Sequence, residues 1–265
     1  MKGTMKIIIS PAKKMRFCDD WSGACRLPVF LDKAEILKEY IRALSWEEAA
    51  GMWKCNKTLT DLNYQRFQEM DLKRNLTPAL LAYEGIQYQY MAPAVFEQEQ
   101  WEYVKRHLRI LSGFYGILRP EDGVVSYRLE MQARGRFPTG AKEVSSLYEY
   151  WKDAIYQELV REGKGEVEIL NLASKEYSKV LEPYLKEKDR FITCVFGSLE
   201  EVKGKKRIRV KGTEAKMARG EMVRFLAEHQ IEDLNQLKTF NRLGYRYREE
   251  WSGEREIVFC KDIEE

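Results

Sequence analysis

The polarity pattern along the chain switches between two periods, and each switch marks an element. Lys6-Ile7-Ile8-Ile9 runs apolar without alternation, the pattern of a strand buried on both faces. Pro11 lacks an N–H and ends that ladder, so Ser10-Pro11-Ala12-Lys13-Lys14 leaves the sheet as a loop at a strand end. Arg16 to Val29 is irregular. Helical spacing then takes over. Ile36, Leu37, Tyr40, Ile41 and Leu44 form an apolar stripe behind Asp32 and Glu35, which stand at capping-box spacing. Ser45 and Glu48 repeat the device before Ala49, Met52 and Trp53. Leu59, Leu62, Arg66, Phe67 and Met70 outline a third helix. Pro78 to Glu84 reads as a strand stopped by Gly85, which leaves Glu84 at a strand end. Tyr88, Tyr90 and Met91 fit a short helix before Pro93, and Gln98 to His107 a longer one.

The stretch His107 to Met131 organises the middle of the chain. Leu108, Ile110 and Leu111 lead into Ser112-Gly113-Phe114-Tyr115-Gly116, with Arg119-Pro120 close behind. Glycines bracketing two aromatics predict a tight hairpin open to close approach by another chain. If the part that follows is extended, Arg128 and Glu130 share one face and Leu129 faces the other way. Gly135 to Ala141 is loop-like. Ser146 and Glu149 cap a stripe of Leu147, Tyr148, Trp151, Ile155 and Leu159, with Gly163 near its end. Val167 to Leu172 is a strand whose exit carries Asn171 and Ser174, and Ser174 can cap a helix through Tyr177 and Val180. Arg190 to Phe196 and Lys205 to Val210 are further strands. Thr213 to His229 is a strong helix with Thr213 as its cap. Gly220, costly by about 1 kcal/mol inside a helix, marks a place where a backbone or ligand comes close. Leu234 and Leu237 mark a short helix. Tyr245 to Arg248 and Ile257 to Phe259 form a closing hairpin.

No repeat, low-complexity linker or boundary interrupts the 265 residues, so one domain spanning 1–265 is expected, α/β with mixed α+β character. No apolar run approaches the roughly 20 residues that span a bilayer, and the start is too short for a signal-peptide core. Five cysteines without a C-x-x-C pair suit free thiols in a cytoplasmic protein. With only two histidines, neither a metal nor another cofactor is expected. Charge changes the picture more. Lys203 to Arg224 holds nine Lys or Arg against two acids, a net of seven positive charges in a chain of net +3, so the remainder is near four negative. Such a patch suits a polyanion.

Several blocks resemble the YaaA family of bacterial peroxide-stress proteins. LRILSGFYGILRP with YRLEM carries the likeness furthest. IIISPAKKM, LAYEG, ILNLASKEY, AKMARGEMVRF and FNRLGYRY agree in the family's order, from Met5 to about Lys261. The resemblance implies a cytosolic protein with a YaaA-like fold, a mixed sheet surrounded by helices and a helix-hairpin-helix-like element. It also implies double-stranded DNA bound in a basic cleft, and a role in surviving hydrogen peroxide and limiting free iron.

Two functions compete. In the first, duplex DNA is held largely by phosphate contacts from Lys13, Lys14, Arg119, Arg128, Lys205, Lys206, Arg207, Arg209, Lys216, Arg219 and Arg224. Gly113 and Gly116 would allow the approach, and Phe114 or Tyr115 would wedge against sugar or else be plain core. A monomer is expected. In the second, an enzyme acts on a nucleotide, nucleic-acid base or sugar. Its pocket would lie at the strand exits around Ser10, Lys13, Glu84 and Glu130, with Asn171 and Ser174 at a further exit. Glu84 or Glu130 would be the acid or base. Ser10-Pro11-Ala12-Lys13 also fits S-x-x-K, but the partner motifs of serine acyl enzymes are missing. Direct iron or peroxide chemistry is disfavoured, since two histidines and dispersed cysteines make a poor site.

Overall fold

A computed structural model describes residues 5–18, 21, 23, 25–140, 142–162, 167–202 and 204–261. The isoleucine run forms β1 (Lys6–Ile9), with all four residues buried. After Ser10 the chain enters the short β2 (Lys14–Met15), then α1 (Leu31–Arg42), α2 (Trp46–Trp53) and α3 (Lys57–Glu69). Ser45 and Glu48 close the expected capping box on α2. The box expected from Asp32 and Glu35 does not form. Helix α1 starts at Leu31, so Asp32 lies inside the first turn, where its charge still favours the helix dipole.

Pro78 to Glu84 is not a single strand. It divides into β3 (Thr77–Pro78), α4 (Ala79–Ala82) and β4 (Tyr83–Glu84). A short apolar run has no period that separates strand from buried helix. Here the Ala79 and Leu80 N–H groups donate to the carbonyls of Asp122 and Pro120 rather than to a strand. Helices α5 (Ile86–Met91) and α6 (Gln98–His107) stand where the periodicity puts them. The central stretch supplies β5 (Leu108–Ser112), β6 (Gly116–Leu118) and β7 (Gly123–Val124). The segment expected as a loop from Gly135 carries β8 (Arg134–Pro138), paired with β9 (Glu143–Ser146); Ala141 lies outside the described residues. The stripe behind Ser146 breaks at Lys152 into α7 (Leu147–Trp151) and α8 (Ala154–Glu162), and Gly163 lies outside the described residues.

Next come β10 (Glu168–Leu172), α9 (Lys175–Ser178), β11 (Arg190–Val202), β12 (Lys205–Arg209) and α10 (Gly212–Glu228). Helix α10 opens before Thr213, so Thr213 is not its cap. The chain closes with β13 (Arg246–Tyr247) antiparallel to β14 (Glu256–Lys261), as expected.

Five strands run parallel in the order β14-β11-β10-β1-β5, and β13, β6 and β12 add antiparallel at the margins. This is a mixed α/β sheet joined by helices. From β1 the chain goes first to β5 on one side, then returns to β10 on the other. Neighbouring connections therefore diverge between β1 and β10. In open parallel sheets such a switch point leaves a crevice at the carboxyl ends of the strands.

Asp122, at the turn after β6, is buried and accepts the Arg119 N–H at 2.8 Å. Burial, countered by that amide, pushes its carboxyl from the ordinary 3.8 up to about 7. A carboxyl whose folded value lies above its unfolded one disfavours folding increasingly as pH climbs between the two. Asp122→Asn is therefore expected to flatten the decline of the unfolding midpoint from about pH 4 to about pH 7. An unchanged profile in thermal scans would remove Asp122 as the cause.

Candidate functional site

The register Ile9↔Leu172 brings the exits of β1 and β10 side by side. Ser10 and Ser174 meet there although 164 residues separate them. The Ser174 N–H donates to Ser10 Oγ at 2.8 Å, and the two hydroxyls lie 3.2 Å apart. Ser174 thus ties two strand ends together and its side chain does not cap α9. Asn171 turns inward instead: its Oδ1 accepts the Ala173 N–H and its Nδ2 donates to Thr193. It is a buried brace and does not line the site.

A cavity of about 400 Å³ opens at this switch point. Ser10, Lys13, Lys14 and Ser174 contribute from the strand exits, and Glu84 with Gln87 and Tyr88 from β4 and α5. Tyr127, Arg128 and Glu130 form another wall, Glu176 and Tyr177 a third, and Lys216 with Arg219 project from α10. The cavity therefore gathers Ser10, Lys13, Glu84 and Glu130, the four residues expected of an enzyme pocket, from three separate stretches.

Charges within it are partly matched. Lys14 pairs with Glu84 at 2.8 Å across the β2–β4 ladder. Glu130 Oε1 lies 3.0 Å from Arg128 and 3.3 Å from Lys13. These contacts with Glu130 are ion pairs without aligned hydrogen bonds, so bonding capacity is left over. Gln87 Nε2, Arg128 Nε, Glu130 Oε1 and Arg219 Nε are buried and lack a hydrogen-bond partner among the described residues. All four belong to residues lining this one cavity. Buried polar atoms are rarely left unsatisfied, so these four are groups that water or a ligand entering the cavity can complete. Three donors and one acceptor call for a ligand rich in carbonyl or phosphoryl oxygens.

Two carboxyls in the cavity have different surroundings. Glu130 sits between two cations. Burial and the neighbouring Glu130 raise Glu176 above the ordinary range, against the pull of the Gln132 N–H and Lys13. A carboxyl raised in this way holds its proton more readily and can serve as an acid. Glu176 and Tyr127 escaped the sequence reading, although each lies inside a block of the resemblance, ILNLASKEY and YRLEM.

Other expected contacts fall elsewhere. Gly113, Tyr115 and Gly116 are interior, so they do not meet a phosphate backbone. A Cβ on Gly113 would stand 2.5 Å from the Leu129 carbonyl oxygen, and Gly116, at φ +74°, lies against Trp151. The close approach allowed by these glycines is made by the protein's own chain. Tyr115 and Phe114 are fully buried. Arg119 is committed to Glu162 at 2.6 Å. Arg207 and Arg209 share Glu200 at 3.3 and 2.9 Å, and Arg224 holds Glu228 at 2.7 Å. Lys205 and Lys206 are exposed on β12, away from the cavity lining, and Lys203 lies outside the described residues. Of the described cations of the Lys203 to Arg224 segment, only Lys216 and Arg219 line the cavity, while Arg207 and Arg209 share one carboxylate and Arg224 shares Glu228 with Arg242.

Cys194 is buried, and desolvation pushes it up to about 12 despite Arg219, which keeps it protonated and a weak nucleophile. Among the described residues no helix is long and apolar enough to cross a membrane.

Residues 5–251 match the family described as peroxide stress protein YaaA. A UPF0246 protein of Desulfitobacterium hafniense (strain Y51) is 51% identical over 98% of this chain and 100% of its own length. One from Lachnoclostridium phytofermentans is 51% identical over 97% of this chain and 96% of its own. One from Pediococcus pentosaceus is 45% identical over 97% and 98%. With a match that takes in every wall of the cavity, the chain belongs to the peroxide stress protein YaaA family.

Proposed function

We propose that the switch-point cavity binds a nucleotide, or a base or sugar of a nucleic acid, and acts on it by acid–base chemistry in the peroxide-stress response. The observation that supports this reading is the convergence of Gln87, Arg128, Glu130 and Arg219, each with a buried polar atom that lacks a hydrogen-bond partner among the described residues, on a single cavity. Lys216 and Arg219 supply positive charge for a phosphate. Glu130, a carboxylate beside two cations, is the candidate to accept a proton, and Glu176, whose proton burial helps retain, the candidate to donate one. The five cysteines are free, which favours a reducing cytoplasm as the setting.

The test is a calorimetric titration with deoxynucleoside monophosphates, the parent nucleosides and inorganic phosphate. Monophosphates are expected to bind more tightly than nucleosides. Arg219→Ala is expected to weaken them about 10- to 100-fold, the worth of one charge-assisted hydrogen bond. Equal binding of nucleosides and monophosphates, or none at all, would refute the assignment.

Duplex DNA binding is a second reading, favoured by one feature. Lys13 and Lys14 pair with carboxylates while their side chains remain 65% and 79% exposed, so both can exchange a carboxylate for a phosphate at the cavity mouth. Lys216 stands exposed beside them. DNA held this way loses affinity with salt by a logarithmic slope of about −0.9 per phosphate contact. Salt-independent binding would eliminate that interface.

A further inference from the structure

Three neighbouring hydroxyls, those of Ser112, Tyr127 and Tyr83, have more protons than the described residues have acceptors for them. Ser112 Oγ accepts the N–H groups of Phe114 and Tyr115 at 3.1 and 2.9 Å. Both its lone pairs are then filled, so its own proton goes to Tyr127, 2.6 Å away. The Tyr127 and Tyr83 oxygens are 2.7 Å apart, and one proton lies between them. One phenol proton remains, and no further hydrogen bond joins either phenol oxygen to a described residue. Each tyrosine is almost fully buried, yet each lines a cavity. Tyr127 borders the switch-point cavity, and Tyr83 borders a neighbouring one of about 350 Å³.

We infer that Tyr127 presents its phenol O–H to an oxygen of the ligand in the switch-point cavity, held in place by bonds received from Ser112 and Tyr83. The inference rests on that cavity being the ligand site. With Tyr83 donating, both acceptor positions on Tyr127 are used and its proton must point elsewhere. An oxygen that receives two hydrogen bonds is also the better donor, because bonds in a chain polarise one another. Phe114 stacks on Tyr127 with centroids 4.9 Å apart and Tyr115 meets it edge-on at 5.4 Å, so the ring cannot swing away. Burial pushes the phenol up to about 12 while Ser112 and Tyr83 pull it back, which keeps the proton present at neutral pH. The arrangement is that of a donor aimed at an oxygen that gains negative charge during reaction. It also assigns a purpose to the Ser112–Gly116 turn: its amides orient the serine that orients the tyrosine.

Two measurements decide the matter. In protein carrying carbon-13 at the tyrosine ζ position, hydroxyl exchange is read from the isotope shift in mixed light and heavy water. The Tyr127 hydroxyl is expected to exchange about tenfold faster than that of Tyr83, the factor of roughly one hydrogen bond. Equal rates, or a faster Tyr83, would overturn the assignment whatever the ligand is. Thymidine monophosphate supplies the second readout. Tyr127→Phe is expected to weaken it about tenfold, and Tyr83→Phe, which removes a supporting bond but not the donor, to weaken it less. Equal losses would reduce Tyr127 to a structural part. If the wild type does not bind thymidine monophosphate, the nucleotide reading fails while the exchange rates still judge Tyr127.

Discussion

Glu162→Gln is expected to remove about 3–5 kcal/mol of folding stability, the cost of stranding buried charges without their partner. The carboxylate sits among three cations. Lys6 on β1 lies 3.4 Å from Oε2, Arg109 on β5 contacts the same oxygen at 2.8 Å, and Arg119 reaches Oε1 at 2.6 Å. Side chains of Lys6, Arg109 and Glu162 are all under a tenth exposed, so water screens little of the interaction. Backbone carbonyls of Arg106, Lys105 and Leu108 take some of the donors, but they carry no compensating charge. The excess of cations is visible in both directions. Burial and Arg109 bring Lys6 down to about 8 in spite of Glu162. Burial would raise Glu162, yet Arg109, Arg119 and Lys6 together hold it below its ordinary 4.5. Such a depressed carboxyl contributes stability in full above about pH 4.5 and loses it as pH falls through the folded value. Urea denaturation of Glu162→Gln should therefore differ most from wild type at neutral pH and converge with it in acid. Adding Lys6→Met should recover part of the loss. A deficit below about 1 kcal/mol would mean that water already reaches the cluster.

This cluster also explains what the sequence concealed. Arg119 was visible as a cation beside a hairpin, but its acceptor Glu162 lies 43 residues further on. Sign of charge is a local property, whereas neutralisation is a property of the fold. Arg207 and Arg209 share one carboxylate, Glu200, across the β11–β12 ladder, which offsets one of their two charges. Glycines misled in a related way. Gly113 does mark close approach, yet nothing local says whether ligand or protein approaches, and the answer is the carbonyl of Leu129. By contrast β1 was legible because an unbroken Ile run permits little else, and Ser10 was legible because Pro11 ends the ladder beside it. Knowing that strand exits matter pointed to Ser10, Ser174 and Glu84. Only the pairing of β1 with β10 showed that the first two touch. Glu176 and Tyr127 carried no local signal, since an acid in a helix and a tyrosine in an alternating polar and apolar stretch are ordinary. Their roles come from neighbours, Glu130 for one and Ser112 for the other.

Gly220→Ala is expected to cost about 3 kcal/mol, the upper end for overpacking, because the obstacle is backbone and cannot rotate away. Gly220 lies in α10 where it crosses α5. A methyl there would overlap the Gln87 carbonyl oxygen and stand 2.9 Å from the Gln87 carbonyl carbon and 3.0 Å from the Met91 nitrogen. The sequence expectation of a close approach at this glycine holds, and the approaching group is the α5 backbone. Relief requires the two helices to part. Lys216 and Arg219 on α10 and Gln87 and Tyr88 on α5 all line the cavity, so the separation that accommodates the methyl also changes the shape of the site. The unfolding midpoint is expected to fall by roughly 6–12 °C for a chain of this size. Nucleotide affinity should fall with it even at temperatures where the variant is fully folded. Gly51→Ala in α2 is the control: nothing lies within 4 Å of its added methyl, and loss of glycine's chain entropy should stabilise by about 0.5–1 kcal/mol. Opposite signs at the two positions would tie the cost to helix crossing rather than to glycine itself. A folded Gly220→Ala protein that binds as tightly as wild type would separate the α5–α10 contact from the shape of the site.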